Sequence, residues 1–233
     1  MRRISNAVRL DYRTGRFYLL IYPLLFLVGL VIGAVAKMPI FTVVLTIVLA
    51  VFISSGVFSI NERNHGERLY GTLPLARKDV VLGRYVFGLT IGVAATVIAG
   101  MLGYLASRIA GVSMGAFGPK GGSFVPGYDS LLFWAAIGLA FCYFCFSMAI
   151  AFPIYFRFGF SKSYVFTMLP LYLVVLATLL ITRKLNLTLD AGSVLDYLAG
   201  HLYLPPIIGV AAGLVFLVVS FLIANSVYAR KEI

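Results

Sequence analysis

The sequence predicts an all-α membrane protein with six transmembrane helices, an N-terminal interfacial helix and a short helix between the second and third spans. Three observations predict it. Hydrophobic residues make up 61% of the 233 positions and charged residues 12%, a balance that a soluble domain of this size does not hold. Six stretches are free of Asp, Glu, Lys, Arg and His. The basic residues gather in alternate connecting segments.

The spans are read from 17–36, 38–61, 85–107, 130–156, 163–182 and 202–229. Each meets the need for about 20 residues to cross a hydrocarbon core of about 30 Å. A charge at a helix centre costs about 2.5 to 3.5 kcal/mol, whereas each Leu, Ile, Val or Phe contributes only a few tenths favourably, so runs this long have few other readings. Before them, residues 1–16 read as an interfacial helix. At 100° per residue Arg2, Arg9, Arg13 and Arg16 fall within an arc of about 60°, opposite Ile4, Ala7 and Val8, which suits anionic phosphates on one face and acyl chains on the other. The first span follows without a signal-peptide cleavage pattern and is expected to be retained. Residues 1–233 thus form a single transmembrane domain.

Orientation follows from Lys and Arg. Fourteen of the nineteen lie in the N-terminal tail, the second loop, the fourth loop (Arg157, Lys162) and the C-terminal tail, against Lys37, Arg108, Lys120, Arg183 and Lys184 on the other side. The positive-inside rule places both termini in the cytoplasm of a multi-pass cell-membrane protein. The net charge of +11 then reflects topology and attraction to anionic lipid, and no nucleic-acid partner is expected.

Several chemistries are excluded. All eight acids lie in tails, loops or span edges, leaving no intramembrane carboxylate to relay protons or bind sodium. His65 and His201 fall on opposite sides, so no metal site and no catalytic pair is expected, and Cys142 and Cys145 read as packing residues. No Gly-x4-Gly-Lys-Ser/Thr loop is present to hold a nucleotide. The glycine pairs Gly29/Gly33, Gly88/Gly92 and Gly209/Gly213 let another helix approach, within the chain or in a second copy. Pro23, Pro153 and Pro170 lie inside spans and are expected to kink or loosen them.

The second loop is the informative segment. Ser59 to Tyr85 reads SINERNHGERLYGTLPLARKDVVLGRY. Asn61 is placed to cap a short helix with Glu62 in its first turn, and Asp79 opens the next. The mixed signs of Glu62, Arg63, Glu67 and Arg68 suit a protein partner better than anionic lipid. This segment resembles the corresponding loop of small six-helix permease subunits of type-2 ATP-binding-cassette (ABC) exporters. Phe152 to Lys162, reading FPIYFRFGFSK, is similar to the turn between their fourth and fifth spans.

The resemblance implies a paired permease, with a second copy or a related chain, that docks a separate ABC ATPase subunit through a coupling helix. ATP and Mg would then be held by that partner, and this chain would carry no cofactor and no catalytic residue. By carry-over the ATPase contacts are Asn61, Glu62, Arg63, Glu67, Arg68 and Tyr70, with Arg157 and Lys162 as lesser ones. Related permeases export cytolytic peptides or confer lantibiotic immunity, and the aromatic spans (Tyr18, Tyr22, Phe26, Phe52, Phe58, Phe141, Tyr143, Phe144, Tyr172) agree with amphipathic or hydrophobic peptide cargo. A non-transporting immunity or scaffold protein, or an exporter of lipid or hydrophobic drugs, is the alternative.

Cysteine labelling in a chain lacking Cys142 and Cys145 tests the orientation. Position 65 is expected to be shielded from an impermeant external reagent and position 120 or 192 to be open. External labelling at 65 would overturn the topology.

Overall fold

The structure is a computed structural model and describes Tyr12 and residues 23–64, 76–112, 128–170, 172 and 204–229. Among these, all regular structure is helical: α1 (Pro23–Val35), α2 (Pro39–Arg63), α3 (Arg77–Ala110), α4 (Tyr128–Phe158), a 3-10 turn (Tyr164–Thr167) and α5 (Leu204–Ala229). Four of them, α2 to α5, are long and apolar enough to cross a membrane. Of the expected spans, the first is described only from Pro23 and the fifth only at 163–170 and 172. The expected interfacial helix lies outside the described residues except Tyr12, whose ring meets Phe87 edge-on at 5.0 Å.

Three helices, α2, α3 and α4, outrun the apolar stretches that predicted them, because hydropathy marks the edge of the membrane and not the edge of helical propensity. With 34 residues, α3 is about 51 Å long and begins two turns before Tyr85. Asp79 in its first turn complements the helix dipole, and Gly111, at φ +63°, closes the far end. In α2 the helix continues through Arg63, and Asn64 is its C-cap. Asn61 therefore does not cap a new helix, and Glu62 sits in a last turn, not a first: Glu and Arg are good helix formers and nothing between Ile60 and Arg63 breaks the ladder.

The prolines divide. Pro153 is inside α4. Pro170 does not interrupt a helix among the described residues: Ser163 to Met168 form a turn and the 3-10 segment, and α-helix resumes only at Leu169. A proline has no N–H to donate and a φ suited to a first turn, so it starts a helix more readily than it interrupts one.

Between the helices, α4 and α5 make the most extensive pairing, followed by α2 on α3. All three glycine pairs are consumed inside the chain. A methyl on Gly92 would run into the Phe144 ring and one on Gly88 into Met148, while at Gly209 and Gly213 it would lie 3.1 Å from the Gly138 carbonyl oxygen and from Cys145 Cβ respectively. Gly29 and Gly33 receive Leu45 and Thr42 of α2. Phe144, Cys145 and Met148 are essentially unexposed, so α4 supplies large side chains that seat in notches on α3 and meets α5 nearly backbone to backbone.

Hydroxyls in the spans bond mostly to their own helix, as Thr46 Oγ1 does to the Thr42 carbonyl at 2.8 Å and Ser147 Oγ to that of Tyr143 at 2.8 Å. Ser220 instead crosses between helices. Its Oγ donates to the Ala149 carbonyl of α4 at 2.8 Å and stands 2.6 Å from the Tyr85 hydroxyl of α3. One hydroxyl has one proton, so Tyr85 is the donor in that second bond.

Two glycine substitutions separate packing from propensity. Gly92→Ala overpacks against the immobile Phe144 ring and is expected to cost about 1 to 3 kcal/mol. Gly56→Ala, with nothing within 4 Å of the added carbon, should be neutral or stabilising. Thermal unfolding in nanodiscs measures both, and equal effects would refute the notch.

Candidate functional site: the basic end of the bundle

The ends of α2, α4 and α5 and the start of α3 meet at one end of the bundle, and an aromatic cluster binds them. Phe58 of α2 contacts Phe152, Tyr155 and Phe156 of α4, with ring centroids 4.9, 5.2 and 5.2 Å away. Phe156 continues to Tyr228 of α5 at 5.2 Å. Tyr85 of α3 meets Phe152 at 5.2 Å and Phe221 of α5 at 5.6 Å. Each such pair contributes about 0.5 to 1.5 kcal/mol beyond the area it buries. Chain order dictates the convergence: α2 and α4 run one way, α3 the other, and the aromatics concentrate in the last turns of the first two.

Arg84 covers this cluster. Its guanidinium lies 4.4 Å from the Phe58 ring centroid, and the residue is only 3% exposed. A buried cation on an aromatic face gains about 2 kcal/mol when desolvated, which helps to hold a charge where the sequence places only the edge of a span. Arg84, Arg63, Lys78, Arg157 and Lys162 all belong to segments at this end, whereas Lys37 and Arg108 sit at the other. The described parts of the second and fourth loops, which the basic count groups together, are thus neighbours in space.

Beyond α4 the chain turns sharply. Gly159 takes φ +82°, a left-handed conformation that suits glycine, while its N–H donates to the Tyr155 carbonyl at 3.0 Å. Phe160 then folds back onto Tyr155 at 5.2 Å. The Ser161 N–H donates to Glu62 Oε2 at 2.8 Å, and the Ser163 N–H to the Phe160 carbonyl at 2.9 Å. The sequence presents Glu62 and the 157–162 turn as two separate contacts; in the structure they touch each other.

Of the remaining residues singled out by sequence, Arg63, Arg157 and Lys162 are exposed and Asn61 is half-buried. Glu67, Arg68 and Tyr70 lie outside the described residues. The sequence assigns no role of this kind to Arg84, Gly159 or Ser161, and it offers Phe58 only as one of the span aromatics, not as the centre of the cluster. The glycine of Phe-Arg-Phe-Gly-Phe-Ser-Lys carried the one local signal, a turn following an apolar helix. Among the span aromatics, Phe26, Phe58, Phe141 and Phe144 are buried packing residues.

A second feature lies in mid-span. An apolar cavity of about 470 Å³ opens between α2, α4 and α5, lined among others by Val44, Ile47, Val48, Leu139, Tyr143, Phe146 and Phe216. Its size falls in the range of small-molecule sites. Cys142 borders it and Cys145 does not; both are free thiols. Among the described residues no group of His, Cys, Asp and Glu is placed to hold a metal ion.

No curated protein matches the chain. The family described as ABC-2 family transporter protein matches residues 10–229. With the apolar helices already described, this makes the chain a multi-pass membrane protein that belongs to the ABC-2 transporter family.

Proposed function

We propose that the chain is the permease subunit of an ABC exporter, with six spans, cytoplasmic termini and a second permease chain beside it. It moves amphipathic or hydrophobic peptides out of the cytoplasm or inner leaflet. ATP hydrolysis belongs to a separate ATPase subunit that holds the nucleotide and Mg. The observation that carries this reading is the gathering of the end of α2, the start of α3 and the 159–163 turn over one aromatic cluster. A docked ATPase that pushes on these segments pushes on four helices at once. Asn61, Arg63, Glu67, Arg68, Tyr70, Arg157 and Lys162 form the docking surface, with Glu62 beside them.

The cavity supports an apolar moiety on the cargo. Its lining offers almost no polar partners, so it suits a hydrocarbon group. The same observation favours, as the second reading, export of a lipid or a hydrophobic drug.

Purification of the native complex is expected to recover two permease chains with two ATPase subunits. A lone permease under every nucleotide condition would refute the proposal. In reconstituted membranes, an amphipathic helical peptide is expected to stimulate hydrolysis more than a short-chain phospholipid, and the reverse order selects the lipid reading. Reversing two charges on the docking surface, Glu67→Lys with Lys162→Glu, should weaken ATPase association by several kcal/mol and leave the melting temperature of the permease alone within a few degrees. Unchanged association would remove this face from the mechanism.

A further inference from the structure

The carboxylate of Glu62 stands where helix electrostatics disfavour it. It occupies the last turn of α2, where the dipole presents its negative end and an acid is the less favourable residue. Arg63 in the same turn has the favourable sign. One donor that answers Glu62 comes from 99 residues away, the Ser161 N–H at 2.8 Å. The turn that delivers this N–H is shaped for it. Gly159, at φ +82°, brings the backbone round so that a carbon added at its Cβ position would lie 3.4 Å from both carboxylate oxygens of Glu62. Phe160 is pinned on Tyr155, and Tyr155 on Phe58, four residues before Glu62 on the same face of α2. Aromatic packing and the carboxylate bond therefore close one ring through α2, α4 and the turn.

We propose that Glu62 is a positioning residue whose carboxylate, by accepting the Ser161 N–H, holds the turn after α4 against the end of α2, so that the two segments present one surface and move as one body. The role deepens the permease reading and rests on it. Glu62 and Ser161 are themselves exposed, but the described residues that meet the ATPase are Arg63 on one segment and Arg157 and Lys162 on the other; Glu62 acts by setting their spacing. Force applied to either segment then reaches both α2 and α4, the two helices that carry most of the cavity lining.

The bond can be watched directly through hydrogen exchange of the Ser161 amide in the purified permease, with no ATPase present. In Glu62→Ala the exchange is expected to quicken by about 2- to 10-fold, the range of a net hydrogen bond. Glu62→Gln, which keeps an acceptor oxygen, should retain most of the protection. Association of the ATPase subunit recovered with the native complex should fall in Glu62→Ala and return in Glu62→Gln, while the melting temperature of all three stays alike. Gly159→Ala attacks the same contact from the other side, since alanine is strained at this φ, and should reproduce the Glu62→Ala result if that variant expresses poorly. Unchanged Ser161 exchange in Glu62→Ala and Gly159→Ala would overturn the proposal. Faster exchange with normal ATPase association would also overturn it, by leaving the bond without a positioning role. A wild-type chain that binds no ATPase subunit would instead refute the permease reading, and the exchange result, which needs no ATPase, tells the two failures apart.

Discussion

Hydrocarbon offers the backbone nothing to bond, and the architecture depends on that constraint. Each span must close its own hydrogen bonds as a helix. Once helical, the spans gain little from mutual burial, because lipid tails are as apolar as their side chains, so association has to come from shape and from the few polar links available. The chain meets this with glycine notches on α3 and α5 that receive Phe144, Met148 and the small-residue edge of α4. The chain from Tyr85 through Ser220 to the Ala149 carbonyl adds one polar tie across three helices.

Toward the basic end the rules change. Water returns, charges become affordable, and the packing passes from glycine and aliphatic side chains to Phe58, Phe152, Tyr155, Phe156 and Tyr228. Aromatic rings suit this border because they bury large area with only two side-chain torsions, and Arg84 stacks on one of them. The outcome is a stiff junction directly under the segments at this end. Flexible aliphatic packing there would absorb a displacement; interlocked rings pass it to the helices.

Much of this was legible in the sequence, for reasons that differ by element. The spans could be read because a buried charge is expensive, so its absence over 20 residues is informative. Helix ends could not, since Arg77 to Arg84 and Glu62 to Arg63 are helical outside the apolar runs. Asn61 looked like a cap because Asn often caps, yet the preceding helix simply continues through it. Gly88/Gly92 and Gly209/Gly213 announced close approach without saying to what, and only the packing of α4 answers. Glu62 and Ser161 are 99 residues apart, and no local pattern joins them. The family resemblance named both segments and was silent on their contact.

With Glu62 in the proposed role, the end of α2 and the turn after α4 form one mechanical unit. Spin labels at positions 64 and 162, both exposed, test it most directly through their distance distribution in the native complex, with and without trapped nucleotide. A single distribution that keeps its mean and width in both states is expected, while the distance from either label to position 37 at the far end of the bundle changes. A 64 to 162 distance that lengthens or splits in two on nucleotide binding would contradict it.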